Sequence, residues 1–238
     1  MIGIAMKYPA DLSFQYFNPT RIVFGPGSAR DAGTELGNLG CRRALLVTDR
    51  PLRTTTDIVG RVQKALGSAC AGVFDDVPPD SGVGVVERCA AMAREAGADS
   101  LVSVGGGSVI DTAKGAAILL TEGGSLLDYQ GFQMLTRRQT PHLCIPTTAG
   151  TGSEVTYAAV IKDPVAKRKL LFADYHIIPD TAILDPELTL GLPRTLTAAT
   201  GMDAFSHALE AIASIQREPI ADALGLRAIA LITANLPL

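Results

Sequence analysis

Short runs rich in apolar residues alternate with amphipathic stretches along most of the chain. In residues 85–96, for example, Val85, Cys89, Met92 and Ala96 share one face of a helix. Such alternation predicts a mostly parallel β-sheet covered by helices, the α/β class. The runs that predict strands are 21–24, 44–48, 71–74, 101–104, 142–145 and 181–184, and the stretches that predict helices are 28–39, 57–66, 85–96 and 109–120.

The pattern changes towards the end of the chain. Residues 155–161 and 169–172 are rich in strand formers and predict a hairpin. Beyond Pro193 the spacing of apolar residues becomes helical, over 195–214 and 220–234. We therefore predict two domains, an α/β domain over 1–186 and the beginning of an all-helical domain over 187–238.

Composition narrows the functional class. The chain has 238 residues and a net charge of −3, which argues against a nucleic-acid surface. Its four cysteines form no C-x-x-C pair, as expected for reduced thiols. We find no signal peptide and no apolar run long enough to span a bilayer, so we expect a cytoplasmic protein without a membrane partner.

A glycine turn between a strand and a helix is the first candidate for chemistry. The run 101–104 stops at Gly105, Gly106, Gly107 and Ser108, and a helical pattern follows. Glycines let the backbone approach an anion, and the first N–H groups of the helix point at it. The alternative is a tight turn without a ligand. A similar sequence, Gly25-x-Gly27, lacks the third glycine of the dinucleotide pattern and reads as a plain turn.

Two further segments follow predicted strands and therefore lie at the same edge of the sheet. Asp49 comes directly after the strand at 44–48, where a carboxylate can bind a ribose hydroxyl and disfavour NADP; the alternative is a helix cap. Residues 147–154, TTAGTGSE, are mostly small or hydroxylated. Their hydroxyls and amides suit a pyrophosphate, a ribose or a nicotinamide, and a flexible linker is the alternative.

Asp203 and His207 are the metal candidates. They lie four residues apart on a predicted helix, which puts both side chains on one face, within reach of a single ion. A solvated or mutually hydrogen-bonded pair is the alternative. The other two histidines, His142 and His176, have no partner at metal-ligand spacing.

Three motifs together resemble one family. The sequences VGGGSVIDTAK at 104–114, PTTAGTGSE at 146–154 and GMDAFSHALEA at 201–211 are similar to those of the iron-containing (group III) alcohol dehydrogenases. The resemblance implies a dinucleotide-binding α/β domain followed by a helical metal-binding domain. It also implies NAD(P)-dependent hydride transfer between an alcohol and an aldehyde or ketone, and a homodimer.

The resemblance assigns roles residue by residue. Asp203 and His207 would hold Fe²⁺, or Zn²⁺ as the alternative, and the metal would act as a Lewis acid on the substrate oxygen. NAD is expected rather than NADP, because Asp49 would bind the adenosine ribose. Lys169 would lie near the nicotinamide ribose. The remaining cofactor contacts would come from Gly106, Gly107, Ser108, Thr147, Thr148 and Thr151.

The chain also departs from the family pattern. Family members are longer and carry two further histidine ligands, so we expect the sequence to be the N-terminal portion of a dehydrogenase. Asp80 replaces the asparagine or glutamate more usual at its position. The main alternative is a non-catalytic nucleotide-binding fragment or remnant. A lyase related to dehydroquinate synthase is another, although the motifs at 146–154 and 201–211 favour the alcohol dehydrogenase branch.

Overall fold

The structure is a computed structural model in which residues 8–237 are described. It contains a six-stranded sheet and a three-stranded sheet. The prediction of a mostly parallel α/β fold followed by helices is confirmed. The strands are β1 (Arg21–Phe24), β2 (Ala44–Val47), β3 (Cys70–Phe74), β4 (Ser100–Gly105), β5 (Gly131–Phe132), β6 (His142–Pro146), β7 (Ala158–Asp163), β8 (Arg168–Ala173) and β9 (Thr181–Leu184).

The helices follow the predicted stretches closely. One short helix, at 50–55, was not predicted, because Pro51 and two threonines give it no apolar periodicity. Short 3₁₀ turns lie at 28–31, where the stretch predicted as a helix over 28–39 begins, and at 126–129. The α-helices are α1 (Ala32–Asn38), α2 (Arg50–Thr55), α3 (Ile58–Leu66), α4 (Val83–Glu95), α5 (Gly107–Glu122), α6 (Arg194–Ala213) and α7 (Pro219–Asn235).

The large sheet is parallel throughout, in the order β1-β9-β6-β4-β2-β3. After β2 the chain moves outward to β3 and then returns to the other side of β2 to form β4. The strand order therefore reverses between β2 and β4. In open α/β sheets the crevice beyond the carboxyl ends of the strands at such a reversal is where ligands bind.

Both faces of the large sheet are covered. On one face, α4 and α5 supply buried residues such as Ala90 and Ala116, which pack against Leu45 and Leu101. On the other face, residues of α1 and α3 pack against Leu46 and Val102. Neighbouring residues of β2 thus belong to opposite cores, as the two-residue period of a strand requires. The result is a rigid platform for the loops at the carboxyl ends of the strands.

The small sheet has the order β5-β8-β7. β7 and β8 are antiparallel, which confirms the predicted hairpin. β5 pairs with the end of β8 in parallel and was not predicted, since a two-residue strand has no periodicity to detect. Within this sheet Lys169 lies directly opposite Lys162.

The chain divides into two compact units, one of which contains residues 19–193 and both sheets. The described part of the other unit comprises residues 8–18 and 194–237. In that unit α6 packs antiparallel to α7, since Gly201 faces Leu236 and Gly225 faces Ala208. Tyr8 donates a 2.6 Å hydrogen bond to the buried Asp222 of α7. No helix in the described part of the chain is long and apolar enough to cross a membrane.

Candidate functional site

The glycine turn lies at the reversal of strand order. β4 ends at Gly105, and α5 begins at Gly107 with Gly106 as its N-cap residue. No side chain caps this helix, and the N–H groups of Val109 and Ile110 donate to the carbonyl of Gly106. The N–H groups of Gly107 and Ser108, in the first turn, are therefore the ones that a ligand beyond β4 could engage. Gly105 is packed so closely that an added Cβ would lie 2.6 Å from a methyl carbon of Val109. The turn therefore has the construction of an anion-binding seat.

The hydroxyl-rich segment after β6 lies against these glycines. A Cβ added to Gly106 would lie 3.2 Å from Oγ1 of Thr148, and one added to Gly107 would lie 2.9 Å from Cγ2 of Thr151. The N–H of Thr147 donates to the carbonyl of Gly105 at 3.1 Å. The structure thus brings together two sequence-predicted groups from adjacent strands, which argues against the linker alternative for this segment.

Asp49 follows β2, the strand next to β4 at the reversal. Its Oδ1 accepts a 2.7 Å hydrogen bond from the N–H of Leu52 and caps α2. This is the helix-cap alternative. Among the described residues, the other carboxylate oxygen has no hydrogen-bond partner, so the ribose contact stays a prediction.

Two polar contacts connect three residues beside the glycine turn, namely Ser108, Asp80 and Lys169. The Asp80 N–H donates to Oγ of Ser108 at 3.2 Å, and Nζ of Lys169 lies 3.0 Å from Oδ1 of Asp80. The Lys169 ammonium group lowers the pKa of the Asp80 carboxyl. Asp80 was singled out in the sequence only as a departure from the family pattern. The structure links it to two predicted site residues.

Two charged side chains of α5 bind the outer edge of β7, which sequence reasoning missed. Nζ of Lys114 lies 2.8 Å from the carbonyl oxygens of both Thr156 and Ala158. Oδ2 of Asp111 accepts from the N–H of Val160 at 2.9 Å. An edge strand needs such partners for its backbone groups. The helix that begins at the glycine turn is thereby fastened to the hairpin that carries Lys169.

Burial shifts the pKa values of both charged side chains that join α5 to β7. Lys114 is fully buried, and burial lowers its pKa to about 8. Burial also raises the pKa of Asp111, whose buried Oδ1 has no hydrogen-bond partner among the described residues. Perturbed pKa values often mark functional sites, but these two groups make their hydrogen bonds to backbone groups and to the hydroxyl of Thr156.

His142 is buried within the large sheet. Its Nε2 lies 2.8 Å from Oγ of Ser103 on β4 and 3.3 Å from Sγ of Cys144. Burial lowers the pKa of His142 to about 3 and raises that of Cys144 to about 12, so both groups are neutral at pH 7.

Asp203 and His207 lie on α6, in the other unit. Oδ1 of Asp203 is 3.7 Å from Nε2 of His207, and both side chains are about half exposed. They are suitable donor types for Fe²⁺ or Zn²⁺, but such ions take three or four protein ligands. In residues 8–237, no group of three or more His, Cys, Asp or Glu side chains is placed so that it could hold a metal ion. The described residues therefore bring no third donor to this pair.

Comparison with known proteins decides the family. Residues 19–186 match the model described as iron-containing alcohol dehydrogenase. Residues 197–238 match the model of the C-terminal region of the Fe-containing alcohol dehydrogenase family. The chain belongs to the iron-containing alcohol dehydrogenase family. The resemblance of the three motifs is thereby confirmed.

Relatives within the iron-containing alcohol dehydrogenase family are dehydrogenases and reductases. The NAD-dependent methanol dehydrogenase of Bacillus methanolicus is 40% identical over 93% of this chain and 58% of its own length. A crystal structure of 1,3-propanediol oxidoreductase superposes with a TM-score of 0.91 at 38% identity, covering 94% of this chain and 59% of that one.

A second solved structure bears on the cofactor. The sulfoacetaldehyde reductase of Bifidobacterium kashiwanohense, in complex with NAD⁺, superposes with a TM-score of 0.88 at 33% identity. The match covers 95% of this chain and 60% of that one. The chain thus spans about three fifths of the length of these family members.

Proposed function

We propose that the α/β domain predicted over 1–186, of which residues 19–186 lie in the unit that contains both sheets, binds NAD. The observation that carries the proposal is the position of the glycine turn beyond β4, at the reversal of strand order, with Thr148 and Thr151 against it. The N–H groups of Gly107 and Ser108 would bind the pyrophosphate, and Thr147, Thr148 and Thr151 would contact the rest of the cofactor. Gly106 would let the cofactor approach the backbone.

Asp49 and Lys169 would contact the two riboses. The carboxylate oxygen of Asp49 that does not cap α2 can accept a hydrogen bond from the adenosine ribose. The negative charge of Asp49 would repel the extra phosphate of NADP. The Lys169 ammonium group can donate to the hydroxyls of the nicotinamide ribose. The NAD⁺ complex of the similar sulfoacetaldehyde reductase supports this choice of cofactor.

The reaction that we propose is the reversible oxidation of a small alcohol by NAD⁺. The alcohol carbon gives a hydride to the nicotinamide, the hydroxyl proton leaves to solvent, and an aldehyde or ketone and NADH are formed. The protein has to orient the two reactants, which is where such a site gains its rate. Family membership supports the reaction class, and the substrate is a small molecule. Residues 187–238 would begin a metal-binding domain, with Asp203 and His207 as two ligands of an iron ion. The homodimer is part of the same proposal.

The second candidate is a nucleotide-binding chain without catalysis. Two metal donors are fewer than a catalytic ion requires, and the described residues bring no third donor to them. The glycine turn and the hydroxyl-rich segment form without those donors. Cofactor binding and turnover can therefore be separated in this chain.

The test is an NADH titration followed by a turnover assay. NADH binding is read from the change in its fluorescence, with NADPH as the comparison. Turnover is read from NADH formation with a primary alcohol, NAD and added Fe²⁺ or Zn²⁺. Binding with turnover supports the dehydrogenase, and binding without turnover supports the second candidate. A protein that does not bind NADH contradicts both.

A further inference from the structure

Asp80 connects the Lys169 ammonium group to the glycine turn. Its carboxylate lies 3.0 Å from Nζ of Lys169, and its N–H donates to Oγ of Ser108. Both charged side chains are more than half exposed, at 60% for Asp80 and 63% for Lys169. Solvent screens such a pair, so it contributes little to folding stability. Because the ion pair contributes little to folding stability, its position beside the glycine turn indicates a role in ligand binding.

The backbone of Asp80 is held in a conformation that non-glycine residues seldom adopt, with φ at 53°. The neighbouring residues fix it there. The N–H of Lys162 donates to the carbonyl of Ser81 at 2.8 Å, and Gly82 packs against the carbonyl of Lys162. Lys162 lies opposite Lys169 in the hairpin. The same hairpin therefore holds both the loop that contains Asp80 and the side chain of Lys169.

The contacts of Asp80 with Ser108 and Lys169 leave hydrogen-bond donors of both residues available to a dinucleotide. Oγ of Ser108 accepts from Asp80, so the hydroxyl proton of Ser108 can be donated to a phosphate oxygen. An ammonium group has three N–H bonds, of which Asp80 engages one. An isolated carboxylate beside a pyrophosphate seat would repel the ligand, and its pairing with Lys169 offsets that charge.

We propose that Asp80 is a positioning residue, which holds the Lys169 ammonium group at the mouth of the glycine turn to receive a ribose hydroxyl of the dinucleotide. This inference rests on the proposed NAD site. Asp80 itself does not contact the cofactor and acts through Lys169. The effect of replacing Asp80 must then depend on the presence of Lys169.

A double-mutant cycle tests this dependence. The dissociation constant of NADH is measured for the wild type, Asp80→Asn, Lys169→Met and the double variant. Asparagine tolerates the left-handed conformation, so the loop is retained while the charge is lost. We expect Asp80→Asn to weaken binding about 3- to 10-fold and Lys169→Met about 10-fold or more. The double variant should bind as Lys169→Met does.

Asp76→Asn is the matched control. Asp76 lies on the same loop and forms a 2.8 Å ion pair with Arg88, and both partners are more than half exposed. Its replacement should leave NADH affinity unchanged. Thermal melting of every variant checks that the fold is retained.

Two results would overturn the inference while the NAD site stands. One is an Asp80→Asn variant that binds NADH as well as the wild type or better, since the carboxylate would then make no favourable contribution to binding. The other is a double variant whose loss equals the product of the two single losses. Failure of the wild type to bind NADH at all would instead overturn the NAD site, and this inference with it.

Discussion

Nζ of Lys114 lies 2.8 Å from the carbonyl oxygen of Ala158. A buried ammonium group thus donates a hydrogen bond to the edge of β7, where the N–H of a neighbouring strand would otherwise donate. The same atom binds the carbonyl of Thr156. Burial opposes the charge, and the two carbonyls and the hydroxyl of Thr156 offset part of that cost. Lys114 thereby joins the helix of the glycine turn to the hairpin.

Replacing Lys114 by methionine should destabilise the protein by about 2–4 kcal/mol at pH 7, because two buried carbonyls lose their donor. Chemical denaturation measures this loss. Lys64→Met, at an exposed site on α3, is the control and should change the stability by less than about 0.5 kcal/mol. A loss of that small size in Lys114→Met would show that the contact is dispensable.

The same lysine predicts a dependence on pH. Its pKa in the folded protein is about 8, against 10.5 for an ordinary lysine, so the unfolded chain binds more protons between these values. The free energy of unfolding of the wild type should therefore rise relative to Lys114→Met as the pH is raised from 8 to 10.5, by up to about 3 kcal/mol. A difference that stays constant over this range would contradict the perturbed pKa.

Gly107→Ala should abolish or severely weaken NADH binding. The new Cβ would lie 2.9 Å from Cγ2 of Thr151, so the hydroxyl-rich segment has to move away from the helix N-terminus. Gly60→Ala is the matched control, because its Cβ would meet no atom within 4 Å in the first turn of α3. The control should gain about 0.5–1 kcal/mol of stability and bind NADH normally. Equal NADH affinity in both variants would count against the glycine turn as the binding site.

His142 should make the protein sensitive to acid. Its pKa in the folded protein is about 3, against 6.5 for an ordinary histidine, so below pH 6.5 the unfolded chain takes up a proton that the folded chain excludes. The contribution of His142 to stability should fall by about 2 kcal/mol between pH 6.5 and pH 5. Denaturation of the wild type and His142→Phe at both pH values gives this quantity as the change in their difference. A pH-independent difference would refute the assignment.

His207→Ala should separate the two functions that we propose for the chain, NADH binding and metal-supported turnover. We expect it to lose metal-supported turnover and to retain NADH affinity within about two-fold, because the cofactor residues lie on the other unit. The alanine variant of Glu210, an exposed acid on the same helix, should change neither quantity. Turnover at the wild-type rate in His207→Ala would remove His207 from the metal site.

Much of the fold could be predicted because its strands are short apolar runs that end at punctuating residues. The run before Gly105 is completely buried, and the helix after it begins within two residues of the predicted position. The hairpin of β7 and β8 was predicted from strand formers alone. β5 was missed because its two residues pair with a strand that lies far away in the sequence.

The site was predictable in its motifs but not in its contacts. Position alone left Asp49 open between a helix cap and a ribose ligand, and the cap became visible only through Leu52 of α2. Lys114 reads in the sequence as an ordinary helical lysine. Its acceptors lie more than forty residues away, so no local pattern marks it as buried. Asp80 likewise gains its meaning only from Ser108 and Lys169.

The pairing of β1 with β9 has a consequence for biosynthesis. Arg21 pairs with Thr181, and in residues 8–237 β9 is the one strand that pairs with β1. At a synthesis rate of about 5–20 residues per second, β1 leaves the ribosome roughly 10 to 30 s before its partner. Throughout that interval Ile22 and Phe24 have no strand beside them. Among the strands of residues 8–237, the first to be made is thus the last to be paired, and the nascent chain is most prone to aggregate at this strand.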